Sequence, residues 1–507
     1  MDSLPRRALT FALAIAAIAV PAAGCGGGES GDSGKSPLDN ALGYVPKNTP
    51  FVAAIETDPN SAQFKNAAEI VGKFPFASQL ERQLEQGLGS GNASYERDIK
   101  PLLGNELVVG ATNVETFTNG GSGENEDFIA AIQVKDKEKL TAAIEREKPD
   151  ELGEKDGAKL YKNDDSFAAV DDDVLVVANS RRELEAGLER RGSDDRFDQD
   201  DFDKGTDGLP EDAVVRTYFD LQRLIAADPE TADARKVKWV SALRTFGLSA
   251  SVGSDRIDFD FTMGTDSGEL SDADLPLAAG DQSPDVVERP GQIGLGLRGL
   301  DQIVKFGESA AQAVDPAQFG SYETAKSTVE RQLKIDIQKD LIDQLGGDIA
   351  AGISPSGNSG GLVAEVEDPD QFKSTLAKVS RVLPAIARSS AGGATVRRSG
   401  GLYSVTSPSG RVAYGMVGDK FVLSDNVASA RAAASAPTGS VEGAKGAFAM
   451  KADAGQLLTG ALSGIGGSGQ LGGLLGAQVF AGPLGDLTGS VESSTDGISG
   501  KVSLTFE

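Results

Sequence analysis

The sequence predicts an α+β fold of two tandem homologous lobes, each a mainly antiparallel sheet with helices on one face. Three observations carry that reading. A strand–turn–strand–helix block occurs twice, first from Leu160-Tyr161 to the helix opened by Ser180-Arg181-Arg182-Glu183, then from Leu402-Tyr403 to the alanine-rich helix after Asn426. The strands inside each block are joined by short Gly/Asp turns, which only antiparallel neighbours can use. Each half also closes on a strand of alternating polarity, Ile257-Asp258-Phe259-Asp260-Phe261 and Val502-Ser503-Leu504-Thr505-Phe506, the pattern of a sheet with one solvated face.

Taken in order, Phe51-Val52-Ala53-Ala54-Ile55 reads as the first strand, and Asp58-Pro59-Asn60-Ser61 opens a helix with apolar spacing at Phe64, Ala67, Ile70, Val71 and Phe74. Asp98 to Gly110 places a helix end, a glycine stop, an acidic residue and a strand in sequence; Asp340 to Gly352 repeats it. Phe128–Val134 and Leu362–Val366 each run into a helix. In the second, Asp368 as N-cap with Pro369 at the first helical position is a strong start signal. Leu140 and Ile144 match Phe372 and Leu376, four apart on one helix face. The twofold block follows, with Ser180 and Glu183 at capping-box spacing. Ala213–Phe219 then pairs with Ala447–Met450, and Leu248–Val252 with Leu487–Val491. The implied organisation is a leader over 1–24, an anchor and flexible linker over 25–40, a first repeat over 41–264, an Asp/Ser/Gly/Pro-rich linker over 265–290 and a second repeat over 291–507.

The leader has Arg6-Arg7, an apolar run from Ala8 to Val20 and small residues Ala22-Ala23-Gly24 before Cys25. This resembles a bacterial lipoprotein signal peptide, which implies cleavage before Cys25 and a diacylglycerol on its sulfur; Ala22 departs from the leucine such motifs favour. An ordinary secretory signal with an incidental cysteine is the alternative. Two acyl chains suffice for stable anchoring, so the expectation is a cell-membrane protein, lipid-anchored on the extracytoplasmic face. The apolar run is too short for a permanent span. Gly26–Pro37 carries no apolar side chain until its proline and reads as a leash of about 20 Å.

The opening Val-Pro-x-x-x-Pro-Phe-Val-Ala segment from Val45, the Phe167–Ala178 hairpin and the Val215-Arg216-Thr217-Tyr218 strand also resemble the exported, often lipid-anchored actinobacterial family catalogued as domain of unknown function 3352. That resemblance implies an exported protein of unassigned activity and supplies no site residues.

Net charge is −27. From Asp285 to Glu507 there are 23 acidic and 19 basic residues, net −4, which leaves −23 for the part before it. An acidic body is repelled by nucleic acid and by anionic headgroups, so no nucleic-acid partner is expected. With no histidine, imidazole-based triads and His-ligated metal sites cannot be built from this chain, and Cys25 is its one cysteine. No catalytic residue, cofactor or metal ligand is therefore assigned. Gly357-Asn358-Ser359-Gly360-Gly361 has the nucleophile-elbow spacing but no histidine to serve it. Gly31-Asp32-Ser33-Gly34 and Gly34-Lys35-Ser36 lie in the leash, and Gly294-Leu295-Gly296-Leu297-Arg298-Gly299, at dinucleotide-fingerprint spacing, sits in a strand-like run. Asp194, Asp195, Asp198, Asp200, Asp201 and Asp203 form a solvated loop or a weak calcium site, although Phe202 breaks the EF-hand register.

Ala454 to Gly485 carries no charge over 32 residues. It reads either as a buried hairpin packed through small residues or as an apolar surface for lipid, protein or a hydrophobic ligand. The functional expectation is a non-enzymatic binding or envelope-interaction protein, with the membrane as partner through Cys25 and a hydrophobic ligand or envelope protein besides. The alternative is a carboxylate-dependent hydrolase of an envelope polymer.

Overall fold

The computed structural model describes residues 35–75, 77, 95–114, 127–163, 166–289, 291–355, 359–389, 395–407, 410–465 and 481–507. They divide into two compact units. One takes the chain up to Ala232 together with Leu243–Gly264; the other takes Asp233–Ala242 together with Thr265–Glu507.

The first unit contains strands β1 (Phe51–Ile55), β2 (Leu107–Ala111), β3 (Phe128–Gln133), β4 (Asp150–Lys155), β5 (Ala158–Asn163), β6 (Ser166–Asp171), β7 (Val174–Ala178), β8 (Val215–Asp220), β9 (Leu243–Val252) and β10 (Arg256–Thr265). They lie in the order β4-β5-β6-β7-β3-β2-β1-β8-β9-β10, and the registered pairs are all antiparallel. Its helices are α1 (Pro37–Leu42), α2 (Ala62–Gly72), α3 (Lys137–Glu147), α4 (Arg181–Arg191), α5 (Gln199–Gly205) and α6 (Leu221–Ala227). The second unit adds α7 (Lys238–Ala242), β11 (Val286–Val287), β12 (Ile293–Arg298), α8 (Leu300–Val314), α9 (Pro316–Leu333), β13 (Asp348–Ile353), β14 (Gly360–Glu365), α10 (Pro369–Ser389), β15 (Thr395–Ser399), β16 (Leu402–Ser407), β17 (Gly410–Val417) and β18 (Lys420–Ser424). It ends with α11 (Val427–Ala434), β19 (Thr438–Gly439), β20 (Phe448–Asp453), α12 (Ala454–Ile465), β21 (Leu484–Ser494) and β22 (Gly497–Phe506). Its order is β15-β16-β17-β18-β14-β13-β12-β20-β21-β22. Strand for strand, this is the order of the first unit. The fold is α+β on antiparallel sheet, as the turn chemistry requires.

The helices do not keep to one face. Along β3, Ile129 and Ala131 enter a core with Leu42 of α1 and Leu184 of α4, whereas Ala130 and Ile132 enter a separate core with Leu140 of α3. β7 divides likewise, Val174 and Val176 to one side, Leu175 and Val177 to the other. The expectation of helices on one face came from the alternating closing strands; the inner strands are apolar without a break over 128–132 and Val174–Ala178 because both their faces are covered.

Helix starts follow the local chemistry. Asp136 accepts from the Lys139 amide at 2.9 Å, Ser180 from Glu183 at 3.1 Å, and Asp368 from Gln371 at 3.0 Å. The Glu183 carboxylate goes not to the cap but to Arg190 of the same helix, at 2.7 Å, because Glu183 is buried and a buried charge needs its counter-ion. Two glycines of the dinucleotide-like motif, Gly294 and Gly296, belong to β12, and the third, Gly299, precedes α8. A Cβ on Gly294 would come 2.2 Å from the Val287 carbonyl oxygen, and one on Gly296 2.5 Å from that of Asp285. They are there because the chain entering the second unit crosses that strand in backbone contact.

Candidate functional site

Two concavities stand out among the described residues, both in the second unit. The larger, about 550 Å³, opens beside α12 and is walled by Pro355, Gly455, Ala481 and Leu484, with Asp453, Gln456, Thr459 and Glu507 at its edge. Gly455, Gln456, Thr459, Ala481, Gly482 and Leu484 of the uncharged segment contribute to this wall, several of them small enough to close in. A Cβ on Gly455 would stand 2.8 Å from the Ala481 carbonyl oxygen, and one on Gly460 2.8 Å from the Pro355 side chain. The polar edge is largely satisfied within itself. Asp453 accepts from the amide of Gln456 and from its side chain, each at 2.8 Å, and Thr459 donates to the Gly455 carbonyl at 2.8 Å. What faces the opening is a mixture of carbon and polar atoms in a wide, shallow concavity, whose volume is within the range that small-molecule sites occupy. Sequence reading flagged the helix but not Pro355 or Glu507, which come from a hairpin turn and the chain end; no local pattern signals that meeting.

The smaller concavity, about 100 Å³, is lined by Gly352, Gly360, Gly361 and Ala433 with Arg289 and Ser359. Arg289 donates to the Ala432 carbonyl at the end of α11, a helix-terminus role. Ser359, from the nucleophile-elbow look-alike, closes the turn between β13 and β14: its amide donates to Ser354 Oγ at 3.2 Å, and its carbonyl accepts from the Ser354 amide at 2.8 Å. A nucleophile elbow joins strand to helix, and this turn joins strand to strand.

The ionisable groups with altered surroundings line neither concavity. Tyr44 is fully buried and donates to Asp171 at 2.8 Å, and Arg191 also pairs with Asp171. Burial first, then the Asp171 charge, pushes the Tyr44 phenol well above its ordinary range. Burial raises the Glu56 carboxyl too, and the charge of Glu106 adds to it; the Asp58 amide, donating to Glu56 at 2.6 Å, acts in the opposite sense. Arg216, buried across the Phe202 ring at 5.2 Å, reaches Glu106 at 3.9 Å and Asp203 at 3.7 Å. At the matching strand ends of the second unit, Arg298 instead forms a two-pronged pair with Asp348, at 2.7 and 2.9 Å.

The Asp-rich loop is shared among structural duties. Asp198 caps α5 by accepting from the Asp201 amide at 2.9 Å, the Asp195 carbonyl accepts from Lys47 at 3.2 Å, and Asp203 serves Arg216. Among the described residues no three acidic or thiol side chains converge as metal ligands, and none of their helices is long and apolar enough to cross a membrane. Cys25 and the Gly31–Gly34 motif lie outside the described residues, as does most of the predicted helix beyond Phe74.

Three crystal forms of TP0453 are among the similar solved structures. Form III matches at TM-score 0.26 with 7% identity, covering 46% of this chain and 82% of that one. Form IV matches at 0.26 and 9%, covering 44% and 80%, and form I at 0.27 and 9%, covering 46% and 80%. Likeness at that level says nothing about activity. No curated protein matches the chain. The model of one family, the proteins of unknown function DUF3352, matches residues 8–443, and the chain belongs to that family.

Proposed function

We propose that this protein is a non-enzymatic, lipid-anchored binding protein of the extracytoplasmic membrane face, which holds a hydrophobic ligand or envelope component against α12. The observation that carries the reading is the open concavity of about 550 Å³ beside an uncharged helix, walled by Pro355, Gly455, Ala481 and Leu484 with a polar edge. The leader ending at Cys25 supports the placement. A hydrolase reading has one observation in its favour, the raised Glu56 beside Glu106. That carboxylate already holds the Asp58 amide and lines neither concavity.

The test is native mass spectrometry of protein purified from its own membrane in mild detergent. The expected result is an acylated N-terminal cysteine and a co-purifying apolar ligand, the ligand lost in Thr459→Trp while the melting curve is kept. A protein without acyl groups sinks the placement. A ligand retained by Thr459→Trp, or an empty parent protein, sinks the cavity.

A further inference from the structure

The helices α4 and α11 hold matching places in the two units. Each follows the last strand of the twofold block, and each is capped by a side chain that accepts from the amide three residues on. Ser180 accepts from Glu183 at 3.1 Å, and Asn426 from Ser429 at 2.9 Å. α4 packs on β3, β6 and β7, and α11 on the equivalent β14, β17 and β18. The chain leading into β1 and β12 crosses each sheet at a matching glycine. A Cβ on Gly110 would meet the Val45 side chain at 2.7 Å, and one on Gly352 would meet that of Val287 at 3.1 Å. Aligned on the caps, Glu183 corresponds to Ser429 and Arg190 to Ala436. In the first unit those two positions form an ion pair at 2.7 Å, and Arg190 also donates to the Tyr44 carbonyl of the entering chain at 3.2 Å. In the second the guanidinium has changed sides: Arg289, on the entering chain, donates to the Ala432 carbonyl of the helix. The carboxylate has no replacement. Among the described residues Arg289 pairs with none, and the neighbouring Glu288 is taken by Lys451 at 3.2 Å. Where the first unit holds its ion pair, the second has the concavity of about 100 Å³.

We propose that this cleft binds a small monocarboxylate, which takes on Arg289 the place that Glu183 holds on Arg190. Arg289 is half-buried, where a cation without a counter-ion is costly, so an incoming carboxylate is favoured. Its guanidinium gives one N–H to the Ala432 carbonyl and keeps others for a two-pronged bond to a carboxylate. Ser429 and Gln292 bring further polar atoms to the lining, and Ala432, Ala433 and Ala436 give it a methyl-covered side for a short alkyl group. A volume of about three water molecules in the liquid suits a short-chain acid. The lining shares no residue with the concavity beside α12, so the inference stands apart from the ligand proposed there.

The experiment is saturation-transfer NMR on the whole protein purified from its membrane in mild detergent, with detergent alone as the blank. It is titrated with sodium propionate and with propionamide, the neutral molecule of the same shape. Propionate is expected to saturate with a dissociation constant on the order of 1 mM, and propionamide to bind at least about tenfold more weakly. S429E, which builds the first unit's carboxylate into the second, should abolish the propionate signal while the melting curve is kept. S429E/A436R, the full copy of the pair, should do the same. Arg289→Gln should weaken propionate about tenfold or more, with Arg289→Lys in between. Ala436→Leu, which fills the cleft and leaves Arg289 in place, should weaken it as well. Equal binding of propionate and propionamide, full binding by S429E at an unchanged melting curve, or no saturable binding in the parent overturns the proposal. So does displacement of propionate by an equal concentration of sulfate, which would make the cleft a general anion site.

Discussion

The two units share a strand order and differ in nearly everything hung on it. In the first, the ribbon β4–β6 over 150–171 carries seven acidic and three basic residues, net −4; in the second, β15–β17 over 395–417 carries three arginines and no acid, net +3. The first unit is closed around Leu42, Tyr44, Phe197 and Phe202, all fully buried, and its buried carboxylates Asp171 and Glu183 each pair with an arginine that reaches in from α4. The second spreads its apolar residues over smaller clusters, and its helices α8 and α9 have no buried residue at all. A strand order tolerates both because it specifies only backbone pairing. What each unit buries is set by its own side chains, which the shared strand order does not fix.

The sharpest way to break this comparison is by paired truncation. Leu42→Ala should cost about 3 kcal/mol in the first unit, whereas Ile303→Ala in the half-buried α8 should cost about 1 kcal/mol, read by denaturant unfolding. Equal losses would remove the distinction between a tight unit and a loose one. Next in size, Gly296→Ala should destabilise the second unit by about 2 kcal/mol, because its methyl meets the Asp285 carbonyl, whereas the matching position of the first unit is already Ala54. Breaking the buried phenol contact with Tyr44→Phe should cost about 1 kcal/mol in the first unit, measured by thermal melting.

The smallest effect is a pH slope. The folded-state pKa of Glu56 is raised, so the proton it binds favours the folded state. Its contribution is full below the ordinary carboxylate range and is lost as pH rises through the raised value. Glu56→Gln should therefore equal the parent near pH 4 and exceed it at pH 7, by less than about 1 kcal/mol. An arginine at position 56, copying Arg298, should pair with Glu106 and sharpen the same contrast.

Strands, caps and their pairing between the halves were legible because each depends on neighbours in sequence: Asp136, Ser180 and Asp368 all cap as their spacing implies. Three features were not, because they arise only in three dimensions. Asp233–Ala242, continuous with the first half in sequence, packs in the second unit, where Trp239 meets Phe306 edge-on at 6.5 Å and Lys238 pairs with Asp274 at 2.7 Å. The side to which each of α3 and α4 crosses is not encoded in the strands, although the unbroken apolar runs of β3 and β7 signal that both sheet faces are covered. The cavity edge at Pro355 and Glu507 joins residues some 150 positions apart in the sequence.

The helix α1 has a mechanical consequence. Leu38, Ala41 and Leu42 are buried where α1 packs on β3 and β2, and Tyr44 and Val45 follow them inside. Were Cys25 anchored as proposed above, a pull on it would reach α1 first, and drawing that helix out would mean taking Leu38, Ala41 and Leu42 from the core of the first unit.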